Sequence, residues 1–163
     1  MIVISNTSPL TNLAAIGQFD LLKRLFGQII IAEGVWSELN AFGKTWPGRE
    51  EVAQANWVSR SIVQNQPLIN ALTRDLDQGE AESIALAVAV KADLVLLDEK
   101  EARHTAHRLG FKVMGVVGIL LLAHTRQYIP QVKPNLDALR HIAGFYLDEK
   151  LYQAILKQAN EIG

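Results

Sequence analysis

Two short runs of this sequence are apolar at every position, and a polar side chain follows each run closely. Residues 2–4 are Ile-Val-Ile, shortly before Asn6, and residues 94–97 are Leu-Val-Leu-Leu, directly before Asp98. A strand that is apolar on both faces is typical of a parallel sheet covered by helices on both sides. Because ligands of open parallel sheets collect beyond the carboxyl ends of the strands, Asn6 and Asp98 are candidates for one crevice.

The remainder of the chain alternates strand-like and amphipathic stretches, which predicts βα units around a mainly parallel sheet. Further strands are predicted at residues 29–32 and 57–63. Helices are predicted at residues 35–39, 79–91, 100–109 and 149–160, and at residues 9–26, where Gly17 interrupts the helix. Another helix is predicted to begin at Pro67, and one more is bounded by Gly115, Gly118 and Pro130. Ser8 is expected to cap the first helix and Asp148 the last.

The length and composition narrow the possible classes of protein. A chain of 163 residues is long enough to bury a core, and we expect one domain over residues 1–163. The absence of cysteine excludes thiol catalysis and thiolate-bound zinc, so a metal would need oxygen or imidazole ligands. It also fits a reducing cytoplasm, and no predicted segment is long and apolar enough for a membrane. The net charge of −1 does not indicate a nucleic-acid partner by itself.

Three acids accompany Asn6 at strand ends or on the following helices. Taken singly, each has an ordinary explanation: Glu38 as a solvated helical side chain, Glu80 as an acid favoured near a helix N-terminus, and Asp98 as a helix cap. Taken together, they predict a carboxylate-lined metal site for phosphodiester hydrolysis. Mg²⁺ and Mn²⁺ are the expected ions because both prefer oxygen ligands. The hypothesis requires that these side chains converge.

Four segments of the sequence together resemble a known family. They are residues 3–10 (VISNTSPL), the element around Glu38, residues 79–87 (GEAESIALA) and residues 94–99 (LVLLDE). These segments resemble the PIN-domain ribonucleases, the fold of VapC-type toxins, in the bacterial branch whose third motif begins Gly-Glu. The resemblance implies a three-layer α/β/α sandwich and places Asn6, Glu38, Glu80 and Asp98 at the four acidic positions. It also implies a metal-dependent endoribonuclease acting on RNA, an antitoxin partner if the protein is a toxin, and a homodimer.

Asn6 departs from the family pattern, which usually has an aspartate at that position. An asparagine carbonyl can bind Mg²⁺, but the site loses one negative charge, and weaker metal affinity is expected. Three interpretations remain open: an active nuclease with a relaxed site, a protein that binds RNA without cleaving it, or a site that recruits another acid. The candidates for that acid are Glu82, Glu99 and Glu101. Thr7 and Ser8 match positions that hydrogen-bond in the family's metal site, although a turn and a cap explain them equally well.

The segment at residues 100–108 is rich in basic side chains. Lys100, Arg103 and His107 are candidates for contact with RNA phosphates beside Asp98, and a solvated helix of mixed charge is the alternative. Arg103, one helical turn from Asp98, is also placed to orient that acid. His104 and His107 make a poor zinc site because no suitable third ligand is near them in the sequence.

Two other classes of function compete with the nuclease. The first is a non-catalytic module that holds RNA or a protein in the same cleft, which Asn6 favours and the three retained acids oppose. The second is a small-molecule α/β enzyme, which only the fold class supports.

Overall fold

The computed structural model describes residues 1–161, in which the chain forms five strands and ten helices. The strands are β1 (Val3–Ser5), β2 (Ile29–Ala32), β3 (Val58–Ser61), β4 (Leu94–Leu96) and β5 (Val113–Met114). The helices are α1 (Thr7–Ala15), α2 (Leu21–Phe26), α3 (Glu33–Leu39), α4 (Arg49–Gln54), α5 (Gln66–Leu72), α6 (Gln78–Val90), α7 (Lys100–Arg108), α8 (Val116–Thr125), α9 (Lys133–His141) and α10 (Glu149–Gln158).

The five strands form one parallel sheet with the order β3-β2-β1-β4-β5. After β1 the chain first builds the β2–β3 side and then crosses to build the β4–β5 side. Strand order therefore reverses between β1 and β4, the position at which ligands bind in open parallel sheets. Asn6 follows β1 directly, and its backbone N–H donates to the Leu96 carbonyl of β4 at 3.0 Å.

Helices cover both faces of the sheet, which confirms the predicted three-layer α/β/α architecture. Alternate residues of β4 face opposite layers, because Leu94 and Leu96 pack in one buried cluster and Val95 and Leu97 in the other. The larger cluster joins the sheet to α1, α2 and the C-terminal helices, and the smaller one joins it to α6 and α7. Both faces are thus buried, as the uninterrupted apolar runs predict.

Several local predictions are confirmed, and others are corrected. Asp148 caps α10 by accepting the N–H of Leu151, as predicted. Ser8 does not cap α1, because that helix begins at Thr7 and Asn6 occupies the cap position. Gly118 lies inside α8 and does not bound it, and α4, α9 and β5 were not predicted.

Within residues 1–161 no helix has both the length and the apolar character needed to cross a membrane.

Candidate functional site

Three oxygen atoms surround the place where Gly79 lacks a side chain. A Cβ atom at Gly79 would lie 3.2 Å from Oε2 of Glu38, 3.3 Å from Oδ1 of Asn6 and 3.6 Å from Oδ1 of Asp77. Asn6 comes from the end of β1, Glu38 from the last turn of α3 and Asp77 from the cap of α6. The missing Cβ therefore leaves a small space bounded by oxygen atoms of three different elements, which we call the Gly79 cradle.

Asn6 is the one buried residue among the three that contribute oxygen atoms to the cradle. It is only 5% exposed, and its Oδ1 is buried without a hydrogen-bond partner. A buried acceptor left unpaired costs on the order of 1–3 kcal/mol, and most proteins avoid this cost. An unpaired carbonyl oxygen beside a carboxylate is an arrangement that a cation or a bound water would stabilise.

Glu38 is held in place by the residue that follows Asn6. The hydroxyl of Thr7 donates to Oε2 of Glu38 at 2.7 Å, which joins the start of α1 to the end of α3. Thr7 is buried, whereas Glu38 is exposed. The carboxylate is thus fixed by a buried donor and still open to solvent and to a ligand.

Glu80 lies beside the cradle in a reciprocal cap with Asp77. Oε1 of Glu80 accepts the Asp77 N–H at 3.0 Å, and Oδ1 of Asp77 accepts the Glu80 N–H at 2.8 Å. Burial raises the pKa of Glu80; the hydrogen bond from Asp77 N–H lowers it, and the charges of Asp77, Glu99 and Glu38 raise it further. These carboxylates are therefore close enough to Glu80 to repel its negative charge.

The raised pKa has a direct consequence for stability. A carboxyl group whose folded-state pKa exceeds its unfolded value stabilises the fold while protonated, and that contribution is lost as the pH rises through the folded-state pKa. Ionisation of Glu80 therefore opposes folding. A cation among these acids would remove that opposition by favouring the charged form.

Asp98 has a different environment from the other three predicted ligands. Its Oδ1 accepts the N–H of Val116 at 2.7 Å, and its Oδ2 accepts from the Ser8 hydroxyl at 3.0 Å and from Asn12 Nδ2 at 3.4 Å. Burial raises the pKa of Asp98, and these hydrogen bonds and nearby Arg103 only partly counter the rise. The carboxylate joins the end of β4 to the starts of α1 and α8.

Replacing Asp98 should therefore destabilise the fold. In Asp98→Ala the three donors lose their common acceptor, and we expect a loss of about 2–4 kcal/mol in the free energy of unfolding, measured by urea denaturation. Ser8→Ala removes one of the three bonds and should cost about 1 kcal/mol. A loss below about 0.5 kcal/mol in Asp98→Ala would contradict this role, because such small changes are typical of surface positions.

The structure brings together only part of the predicted ligand set. Across residues 1–161, no three His, Cys, Asp or Glu side chains are grouped closely enough to hold a metal ion by themselves. Asn6 and Glu38 meet at the cradle, Glu80 lies next to it, and Asp98 has other hydrogen-bond partners. The joint role of Glu38, Glu80 and Asp98 as carboxylate ligands stays a prediction, and in this structure hydrogen bonds from α1 and α8 hold Asp98.

The other predicted site residues also have different environments, and only some of them lie near the predicted acids. Thr7 donates to Glu38 and Ser8 donates to Asp98. Glu82 accepts from the Gly34 N–H at 3.0 Å and from Gln78 Nε2 at 2.7 Å, and so belongs to the contact between α3 and α6. Glu99, exposed at the start of α7, acts on Glu80 and is therefore near the acids.

Two acids remain to be placed: Glu101, which was predicted as a candidate, and Asp77, which was not. Glu101 lies exposed in the first turn of α7. Asp77 is part of the cradle, although it was not among the predicted site residues. The signal for it was the Asp-x-x-Glu spacing from Asp77 to Glu80, which is the pattern of a capping box.

Several exposed basic residues of α7 lie along one cleft. Lys100, Arg103 and His107 are exposed, and together with Asp98 they line a cleft of about 950 Å³. The structure thus places all three predicted phosphate contacts along one surface that begins at Asp98.

Comparisons with known proteins agree on the fold. A family model described as DUF3368, PIN domain, matches residues 2–161. A solved structure of a PilT N-terminus domain protein from the hyperthermophilic archaeon Sulfolobus solfataricus P2 is similar, with a TM-score of 0.57 and 19% sequence identity. The alignment covers 76% of this chain and 93% of that protein. No curated protein matches the sequence.

Proposed function

The chain belongs to the PIN domain family, a family of nucleases, and on that premise we propose that it is an endoribonuclease dependent on Mg²⁺ or Mn²⁺. The observation that carries the proposal is the buried, unpaired Oδ1 of Asn6 beside Oε2 of Glu38. These two atoms and Oδ1 of Asp77 are all hard oxygen donors, which Mg²⁺ and Mn²⁺ prefer.

The cradle fits such an ion although three acids do not converge on it. Mg²⁺ keeps several water molecules and is usually bound through one or two carboxylates together with substrate phosphates. Asn6 and Glu38, with Asp77 at the edge and Glu80 and Glu99 nearby, provide that kind of partial set. When bound, the ion supplies an activated nucleophile at neutral pH and offsets the charge on the phosphate oxygens.

The residues of the chain position this chemistry. Thr7 fixes the Glu38 carboxylate, and the cap with Asp77 fixes Glu80. Ser8 and Asn12 hold Asp98, which in turn holds the start of α8. Cleavage by direct attack of water on phosphorus needs no covalent intermediate, so none of these side chains has to act as a nucleophile.

A second candidate function is a binding module that has lost catalysis. Asn6 is the observation that favours it, because an amide in place of a carboxylate removes one of the charges that attract the ion. The retained Glu38 and Glu80 favour the enzyme. Both candidate functions use the same site, and a measurement of RNA cleavage distinguishes between them.

Three further proposals depend on the family resemblance. If the protein is the toxin of a toxin–antitoxin pair, an antitoxin would cover the Gly79 cradle and the acids around it. We also propose a homodimer and a cytoplasmic location.

The experiment that tests the proposed function is cleavage of labelled single-stranded RNA with Mn²⁺ or Mg²⁺, compared with the same reaction in chelator. We expect cleavage with the ion, none in chelator, and a loss of about 100-fold or more in Glu38→Gln. Glu50→Gln, an exposed acid on α4, is the matched control and should cleave like the wild type. RNA binding without cleavage would favour the binding module, and cleavage that persists in both chelator and Glu38→Gln would refute the proposed site.

A further inference from the structure

The cleft that begins at Asp98 has two chemically different walls. One wall is α7, where the exposed side chains of Lys100, Arg103, His104 and His107 line the cleft. These positions recur every three or four residues, so they form one continuous stripe along the helix. Lys100 to His107 spans about 10 Å at 1.5 Å per residue, which is long enough to follow a polymer rather than a single small ion.

The other wall is aromatic and apolar. Tyr146, in the segment between α9 and α10, is 86% exposed, and Phe145 beside it is half-buried. Both line the same cleft as the α7 stripe. An aromatic ring held this far out of the core contributes little to packing, and its faces are available to a ligand.

The charge of the cleft differs from that of the chain as a whole. The net charge of the sequence is −1, yet among the described residues that line the cleft Asp98 is the only acid. Its carboxylate is already occupied by Ser8, Asn12 and the Val116 N–H. Lys100 and Arg103 therefore give the cleft a positive potential next to the acidic cradle.

From these two walls we infer that the cleft is a binding track for single-stranded RNA, in which α7 contacts successive phosphates and Tyr146 stacks on an unpaired base. This inference rests on the proposed function, because the track leads to the candidate catalytic acids. A basic groove combined with an exposed aromatic platform is how proteins hold single strands without reading sequence. A duplex keeps its bases stacked inside and could not use Tyr146 in this way.

The test measures binding of a fluorescein-labelled single-stranded oligouridine by fluorescence anisotropy. Chelator is present so that no cleavage occurs. Tyr146→Ala should weaken binding by roughly 5- to 100-fold, the usual effect of removing one stacking ring, and Tyr146→Phe should bind like the wild type. Lys100→Gln should reduce the slope of log K against log salt concentration by about 0.7, the value for one phosphate contact on a single strand.

The control is Lys23→Gln, which removes an exposed lysine of α2 outside the cleft and should leave the slope unchanged. Equal binding by wild type, Tyr146→Ala and Lys100→Gln would overturn the inference, as would equal affinity for duplex RNA. If the two variants bound RNA normally but no longer sedimented as a dimer, the cleft would be a contact between copies of the chain, and the inference would be wrong.

This test is independent of the test of the enzyme. Binding that is sensitive to Tyr146 and Lys100 in a protein that never cleaves would leave the track established and refute the proposed nuclease. Cleavage that depends on Glu38, together with binding that ignores Tyr146 and Lys100, would leave the nuclease established and refute the track.

Discussion

An Asn6→Asp variant is expected to cleave single-stranded RNA about 10- to 100-fold faster than the wild type at limiting Mn²⁺. The substitution replaces the unpaired amide oxygen of Asn6 with a carboxylate and adds one negative charge to the Gly79 cradle. Affinity for a hard divalent ion rises with the number of charged ligands. The measurement is the cleavage rate over a titration of Mn²⁺, and the gain should shrink as the ion saturates both proteins.

In chelator, the Asn6→Asp substitution is expected to lower the thermal stability of the protein. Without an ion, a new carboxylate beside Glu38, Asp77 and Glu80 increases their mutual repulsion, so thermal stability should fall below that of the wild type. Mn²⁺ should then raise the melting temperature of Asn6→Asp more than that of the wild type. Asn70→Asp, an exposed position on α5, controls for added charge alone. Unchanged cleavage together with an unchanged response to Mn²⁺ would show that Asn6 is not a ligand.

Gly79→Ala is expected to lose about 100-fold or more of the cleavage rate while the protein stays folded. The new Cβ would occupy the cradle, 3.2 Å from Oε2 of Glu38 and 3.3 Å from Oδ1 of Asn6. Displacing reacting groups by even about 1 Å can cost 100-fold in rate. Alanine is favoured over glycine inside a helix by up to about 1 kcal/mol, so α6 itself should not suffer.

Two measurements separate these effects in Gly79→Ala: the cleavage rate with Mn²⁺ and the free energy of unfolding in urea. Gln78→Ala, its exposed neighbour on the same turn of α6, is the control and should retain most activity. If Gly79→Ala cleaved normally, the space beside Asn6 and Glu38 would not be the place where the ion binds.

The sheet could be predicted from the sequence because its signal is local. Residues 29–32 coincide with β2, and the apolar run at residues 94–97 contains β4, since continuous burial on both faces leaves no polar position to obscure a strand. β5 could not be found in this way. With two residues, Val113–Met114, it is too short to carry a pattern, and it exists because it pairs with β4.

The candidate site was predictable only in part, because some of its contacts join residues that are distant in the sequence. Asn6 was selected because it follows an apolar strand run, and Glu38 because it lies on a helix that follows another such run; the fold brings the two side chains together. The environment of Asp98 depends on donors from Ser8, Asn12 and Val116, which are up to 90 residues away in the sequence. No local pattern records such partners, so its role as a bridge between helices emerged only from the structure.

The central position of β1 also determines when the site can form during synthesis. β1 is made first, yet one of its two neighbours is β4, whose residues pair with it from Val3↔Leu94 to Ser5↔Leu96. About 90 further residues must therefore be made before β1 gains its second partner. Pairing of segments so distant in sequence is slow because loop closure precedes the stabilising contacts. A nascent chain thus has no complete crevice between β1 and β4 until β4 has been made.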